Sequence, residues 1–241
     1  SSVEQFGKAA KNASLALGRD TAESLERFTR GVTKLEPELL DELGLFVRVD
    51  DAAEKYARSI GKSAGDYVQT GERNVAIGME AYSYGATDGV RNTFVGQGAG
   101  QNNKTGGSNS FFGSYAGKGD TNNSSMYNVS IGCRSGCKLT SGSCNTFLGP
   151  EAGYGGCGAI TGNGNIAMGR HALCKVTSGC CNIAIGDCSQ GTGAVTGSNN
   201  VSIGIGAAQK LTSGVCNVAV GYNAGFEHTT GCHNVTMGAL A

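Results

Sequence analysis

Ten copies of one short motif, each opening on an asparagine, follow one another from residue 74 to the end of the chain. In every copy the third place after the asparagine is apolar, the fourth is glycine, and the seventh is alanine or serine. Successive copies start 17 to 20 residues apart. They open at Asn74, Asn92, Asn109, Asn128, Asn145, Asn165, Asn182, Asn200, Asn217 and Asn234. This repetition restricts the fold to a stack of short units, because one unit cannot bury its own apolar side.

The residues that follow each asparagine predict a short β-strand. In copies such as NVAIG, apolar places alternate with the period of a strand that has one buried face. We expect the Ile- and Val-rich side to be hidden and the following glycine to form a tight corner. At roughly 4.8 Å per stacked strand, the copies would build a rod about 45 Å long. The asparagines would then lie in register and form a structural ladder of side-chain amides.

The chain divides into two unlike parts, which predicts an α+β fold. Residues 1–73 hold 24 of the 38 charged residues, whereas all ten cysteines lie in residues 74–241. We predict a short α-helical N-terminal anchor followed by a repetitive all-β shaft. The shaft is either a β-solenoid coiled by one chain or a β-helix in which three chains intertwine.

Residues 1–73 carry the sequence signals of short helices. Capping residues and apolar periodicity predict helices near 2–17, 21–34, 37–43 and 51–60, with a short strand at 45–49. Because so small a segment has a thin core, we expect other copies of the chain or a larger assembly to complete it. An independent small helical domain is the alternative. The expected anchor contacts are Phe6, Phe28 and Phe46.

Composition weakens several classes of function. The formal net charge is zero, so nothing favours a nucleic-acid partner. No apolar run approaches the roughly 18 residues that would span a bilayer, so we expect no membrane insertion. The N-terminal residues lack the pattern of a secretory signal.

The cysteines keep the register of the repeat, which favours a structural role. Cys144, Cys181 and Cys216 each directly precede a repeat asparagine. We expect free thiols acting as small buried apolar groups, with disulfides between rungs or chains as the alternative. A metal site near Cys232, His233 and His228, or at His171 with Cys174, lacks the ligand spacing of a zinc site. We therefore predict no metal and no cofactor.

The sequence contains no recognisable catalytic constellation, and we predict that the chain is not an enzyme. The carboxylates of the repeat region are scattered over different repeat places, apart from Glu80 and Glu151, which lie four repeats apart. A glycan-cleaving site needs two carboxylates facing each other in a groove.

The aromatic residues divide into two groups. Phe94, Phe111 and Phe147 hold the second place after the asparagine, where we expect them to fill a wider part of the shaft or an interchain contact. The surface candidates for binding sugar are Tyr82, Tyr115, Tyr154 and Tyr222.

The pattern N-x-x-apolar-G-x-x-A with a closing TG-x-x-N resembles the Gly- and Asn-rich repeats of bacteriophage tail fibres and related virion appendages. It is more distantly similar to the head repeats of trimeric autotransporter adhesins. The resemblance covers residues 74–241 and implies a homotrimer that assembles in the host cytoplasm and belongs to the virion. It further implies that residues 1–73 fasten the fibre to a tail or capsid protein, while the distal region meets a host receptor.

Two other functions follow from the same repeats. One is an adhesin whose β-repeat surface binds host cell-surface glycans directly. The other is an ice-binding solenoid, which is disfavoured because the threonines lie mostly at corners. Because the chain stops inside its tenth repeat, we also expect a natural polypeptide that continues past Ala241.

Overall fold

The computed structural model describes residues 71–83, 88–120, 122–191 and 193–241. The predicted helices, the strand at 45–49 and the anchor residues Phe6, Phe28 and Phe46 lie outside the described residues. Within the described part, the chain forms a parallel β-solenoid with one three-residue strand after each repeat asparagine, and no helix. The strands are β1 (Val75–Ile77), β2 (Thr93–Val95), β3 (Ser110–Phe112), β4 (Val129–Ile131), β5 (Thr146–Leu148), β6 (Ile166–Met168), β7 (Ile183–Ile185), β8 (Val201–Ile203), β9 (Val218–Val220) and β10 (Val235–Met237).

All ten strands belong to one parallel sheet, in the order in which they occur in the sequence. Equivalent places of successive copies pair, as where Ala167 lies beside Ala184. We call each copy a rung and number the rungs from the one that opens at Asn74. Each strand pairs directly with the next strand of the same chain. The structure is therefore the one-chain solenoid, and the intertwined β-helix is not the arrangement observed.

The glycine at the fourth place forms the corner after each strand, as predicted. Its φ lies between 119° and 134° in all ten rungs. A Cβ on Gly149 would lie 2.8 Å from the carbonyl oxygen of Gly169 in the next rung. Both the backbone conformation and the close stacking of rungs therefore require glycine at this place.

The core is built from the second, seventh and eighth places of each rung and from one column on the returning side of the coil. That column holds Leu139, Ile160, Val176, Val195 and Leu211, all fully buried. Phe94, Phe111 and Phe147 are also fully buried, and the rings of Phe94 and Phe111 stack with centroids 5.0 Å apart. Filling of the shaft is thus the confirmed role of these phenylalanines.

Candidate interaction surfaces

The repeat asparagines lie in register and bond to one another along the whole solenoid. In all nine successive pairs, the backbone N–H of the later asparagine donates to Oδ1 of the earlier one at 2.8–3.1 Å. Its Nδ2 donates to the same oxygen at 3.0–3.2 Å. From Asn92 to Asn200 these residues are fully buried. The ladder therefore joins rungs and offers no ligand a binding surface.

Each strand turns its second residue inward and its first and third residues outward. The second residue is buried in eight of the ten strands and half-buried in β1 and β10. The prediction that the Ile- and Val-rich side is hidden is therefore wrong for the single chain. The inner side is instead filled by Ala, Ser, Thr or Phe at the second place. Residues from the seventh and eighth places complete the core, and phenylalanine stands at the second place only where the eighth place is glycine.

We define the outer face as the residues at the first and third places of the ten rungs. None of its twenty residues is charged, seventeen are apolar, and none is buried. The first places are Val75, Thr93, Ser110, Val129, Thr146, Ile166, Ile183, Val201, Val218 and Val235. The third places are Ile77, Val95, Phe112, Ile131, Leu148, Met168, Ile185, Ile203, Val220 and Met237. An apolar strip this regular on a protein surface indicates an interaction site.

The other exposed large hydrophobic residues of the described part flank the outer face. They lie one or two places before the asparagine, or five or six places after it. They are Met79, Val90, Met126, Tyr127, Ile205, Tyr222 and Leu240. In the described part, the large exposed hydrophobic residues therefore lie on the outer face or at the repeat places next to it.

The opposite side is polar and carries a column of lysines. Lys138, Lys175 and Lys210 occupy the tenth place of alternate rungs. The Lys210 ammonium lies 2.7 Å from a carboxylate oxygen of Glu227 in the next rung. Threonines two places after each lysine join adjacent rungs. Thr140 Oγ1, for example, donates to the Ile160 carbonyl of the next rung at 3.1 Å.

Ion pairs connect adjacent rungs at the corner beyond the strands. Glu151 lies 3.6 Å from both the Arg134 guanidinium and the His171 imidazole, in the rungs before and after its own. Arg170 Nη2 donates to Asp187 Oδ2 at 2.6 Å and holds the pKa of that carboxyl below its usual value. The two arginines are exposed and their partners are half-buried, so each pair stabilises the fold only slightly.

A pocket of about 210 Å³ beside these ion pairs contains two thiols. The Cys174 thiol donates to the Gly191 carbonyl at 3.1 Å, and the Cys188 thiol donates to Asp187 Oδ1 at 3.3 Å. Burial raises the pKa of both thiols. An activated cysteine nucleophile needs a lowered pKa. Neither thiol therefore has the lowered pKa of an activated nucleophile.

All ten cysteines are free thiols in the structure, but none of them is buried. Six are exposed, including Cys144, Cys181 and Cys216, and four are half-buried. The prediction that they act as buried apolar groups is wrong for the single chain, because six of the places that they occupy are exposed to solvent and four are only half-buried. Within the described ranges, no cluster of three or more His, Cys, Asp or Glu side chains could hold a metal ion.

The prediction that Tyr82 lies on the surface is wrong. Tyr82 is fully buried, and its hydroxyl donates to the Gly89 carbonyl at 3.1 Å. It belongs to the core, where its ring packs edge-on against that of Phe94 with centroids 5.1 Å apart. Tyr115 and Tyr154 are half-buried and Tyr222 is exposed.

Comparison with known proteins does not assign the chain to a family. No family model matches the chain, and no solved structure matches it. The residues that the structure describes include no helix long and apolar enough to cross a membrane.

Proposed function

We propose that this protein is a non-enzymatic structural component of a phage virion, a homotrimeric tail or capsid fibre whose shaft is the solenoid. Residues 1–73 fasten the chain to the particle, and the distal region meets the host receptor. The chains assemble in the host cytoplasm before they join the particle. One observation carries the proposal, namely the unbroken stack of ten rungs, each bonded to the next.

The stack is suited to a shaft because successive rungs are joined at several points around the coil. Strand hydrogen bonds join one side, and the asparagine amides join the corner before it. On the returning side, Val176 pairs with Val195. At about 4.8 Å per rung, nine spacings give a rod about 43 Å long. Such a rod would hold a receptor-binding region at a fixed distance from the particle.

The test is detection of the chain on the particle. Antibodies against the full chain are expected to label purified virions of the phage that encodes it, at fixed positions on the tail or capsid in electron micrographs. Quantitative mass spectrometry of the same virions is expected to give a copy number that is a multiple of three. Virions that lack the chain would rule the proposal out.

The alternative function is an adhesin whose repeat surface binds host glycans directly. The lysine column favours it, because Lys138, Lys175 and Lys210 recur every second rung, about 10 Å apart, although Lys210 is paired to the carboxylate of Glu227. A linear anionic glycan could follow such a row of charges. On a glycan array, the full chain would then bind anionic glycans and the Lys138→Gln, Lys175→Gln double variant would lose them. Lys104→Gln, outside the column, is the matched control. An array to which the full chain does not bind would exclude the adhesin.

A further inference from the structure

The outer face has no partner within the described chain. Twenty side chains, seventeen of them apolar, line it from β1 to β10, and the exposed ones include Ile77, Phe112, Ile131 and Ile203. Core residues from the seventh and eighth places lie behind the sheet and do not cover its front. We infer that further copies of the same chain cover the outer face, lying parallel to it and in register with it. This inference rests on the proposed fibre and names the surface through which its chains associate.

The distance between successive rungs of the outer face favours a second copy of the same chain as its partner. Apolar side chains recur at about 4.8 Å over ten rungs. A partner that engages every rung must repeat at the same interval over the same length. A second copy of this solenoid does so, because a rotation about an axis parallel to the stack brings equal rungs to equal heights.

The face is large enough to reach the lower limit of a specific protein–protein contact. Nine spacings of about 4.8 Å and two outward columns about 7 Å apart, with their side chains, give a strip of roughly 43 Å by 12 Å. Two opposed copies would bury about 1,000 Å² in total, which reaches the lower limit of specific interfaces. The absence of charge from all twenty places means that no ion must be desolvated when the faces meet.

The polar exceptions on the face favour the parallel, in-register arrangement. Only Thr93, Ser110 and Thr146 are polar, in the second, third and fifth rungs. Around a threefold axis parallel to the stack, a first-place column that lies nearest the axis brings each hydroxyl to the same hydroxyl of the other copies, and such groups can hydrogen-bond. An antiparallel contact would place these hydroxyls opposite Val218, Val201 and Ile166, where they find no partner.

Solution mass and photo-crosslinking test the inference on the full chain. We expect a mass of three times 24.4 kDa for the unaltered protein. The Ile131→Lys, Ile203→Lys double variant should fall to one copy with an unchanged circular dichroism spectrum, because both side chains are exposed in the single chain. Ser141→Lys with Ser178→Lys, on the opposite side, is the matched control and should keep the mass of the unaltered protein.

Crosslinking tests the register independently of whether the lysine variant folds. With Phe112→benzoylphenylalanine in a mixture of light and isotope-labelled chains, mixed crosslinks are expected to join residue 112 to rungs two to four of another copy. Crosslinks to rungs seven to nine, or an unaltered protein that remains a single copy, would overturn the inference. Labelled virions would still support the fibre in that case. A mass of two copies with in-register crosslinks would support the inference while contradicting the homotrimer of the proposed function.

Discussion

At the scale of single residues, the place before each ladder asparagine lies in the left-handed region. Its φ is between 56° and 67° in all ten rungs, although only Gly164 is a glycine there. An L-residue in this conformation costs about 1–2 kcal/mol. Cys144→Gly should therefore raise the free energy of unfolding by about 0.5–1 kcal/mol, after the greater flexibility of unfolded glycine is subtracted.

Urea denaturation of the full chain measures this effect, and a second cysteine gives the matched control. Cys157 is exposed like Cys144 but does not have a positive φ. Cys157→Gly should therefore lower stability by about 0.5–1 kcal/mol. Equal effects at the two sites would contradict the conformational argument.

The ladder asparagines should be far more sensitive than asparagines elsewhere. Asn145 donates to Asn128 and Gly162 and accepts two bonds from Asn165, all in a buried site. Asn145→Ala leaves those partners unsatisfied and should cost at least about 3 kcal/mol. Asn163→Ala is the control, because this exposed side chain accepts one bond, from Ser143, and should cost less than about 1 kcal/mol. Comparable losses of stability in urea titrations would show that the ladder has no special role.

The half-buried thiols predict a loss of stability in alkaline solution. Burial raises the pKa of Cys137 and Cys174 above the ordinary value of 9.0. The unfolded chain therefore loses these protons first, and stability is fully present below about pH 8 and falls as pH rises above about 9. Urea midpoints from pH 7 to 10 measure the fall. The Cys137→Ala, Cys174→Ala double variant should show a shallower decline, and an unchanged slope would contradict this assignment.

At the scale of the rung, the side chains at the second and eighth places occupy the same region of the core, so the size of one limits the size of the other. Where the second place is Phe147, the eighth is Gly153, and a Cβ there would lie 2.5 Å from the phenylalanine ring. In the next rung Ala167 is combined with Leu173, whose φ of 51° is close to the 55° of Gly153. The backbone at this place thus accepts leucine, and the size of the opposite side chain decides whether it fits.

This pairing predicts a rescue between two substitutions. Gly153→Leu alone should destabilise the protein by at least about 2 kcal/mol, because it overpacks the core and adds a strained left-handed residue. Adding Phe147→Ala reproduces the combination of the next rung and should recover most of the loss. Thermal unfolding of the two variants measures the difference. A double variant less stable than the single one would show that the two places do not share their space.

The same rung explains how far the sequence alone can predict this fold. The spaced asparagines and the glycine after each strand are sufficient to predict stacked strands with tight corners. Alternation with period two shows that a strand has two faces, but it does not show which of them meets the core. In rungs such as NVAIG, Val and Ile are larger than the alanine between them, so the pattern predicts that their face is buried, whereas the structure turns it outward. The opposite sizes of the second and eighth places, as in Phe147 with Gly153, are the signal that would have identified the inner side.

At the scale of the whole solenoid, the core is not uniform along its length. In the fourth to eighth rungs the returning column is apolar, from Leu139 to Leu211. In the second and third rungs the same column holds Asn103 and Asn123, which pair across the rungs and are fully buried. Both side-chain polar atoms of Asn103 and Nδ2 of Asn123 have no protein hydrogen-bond partner. Because a solenoid is stabilised rung by rung, this segment should open before its neighbours.

Replacing the two asparagines with leucine should therefore protect one end of the stack. Leucine has nearly the shape of asparagine and removes three unsatisfied buried polar atoms, each of which costs about 1–3 kcal/mol, against the loss of the one bond that Asn123 Oδ1 accepts from the Ser125 N–H. In the Asn103→Leu, Asn123→Leu variant, hydrogen exchange should slow at least about tenfold in the second and third rungs, and the sixth to ninth rungs should be unchanged. Asn163→Leu, at an exposed site, is the control. Faster exchange in the double variant would mean that the buried amides are satisfied in solution, and that this polar segment strengthens the stack.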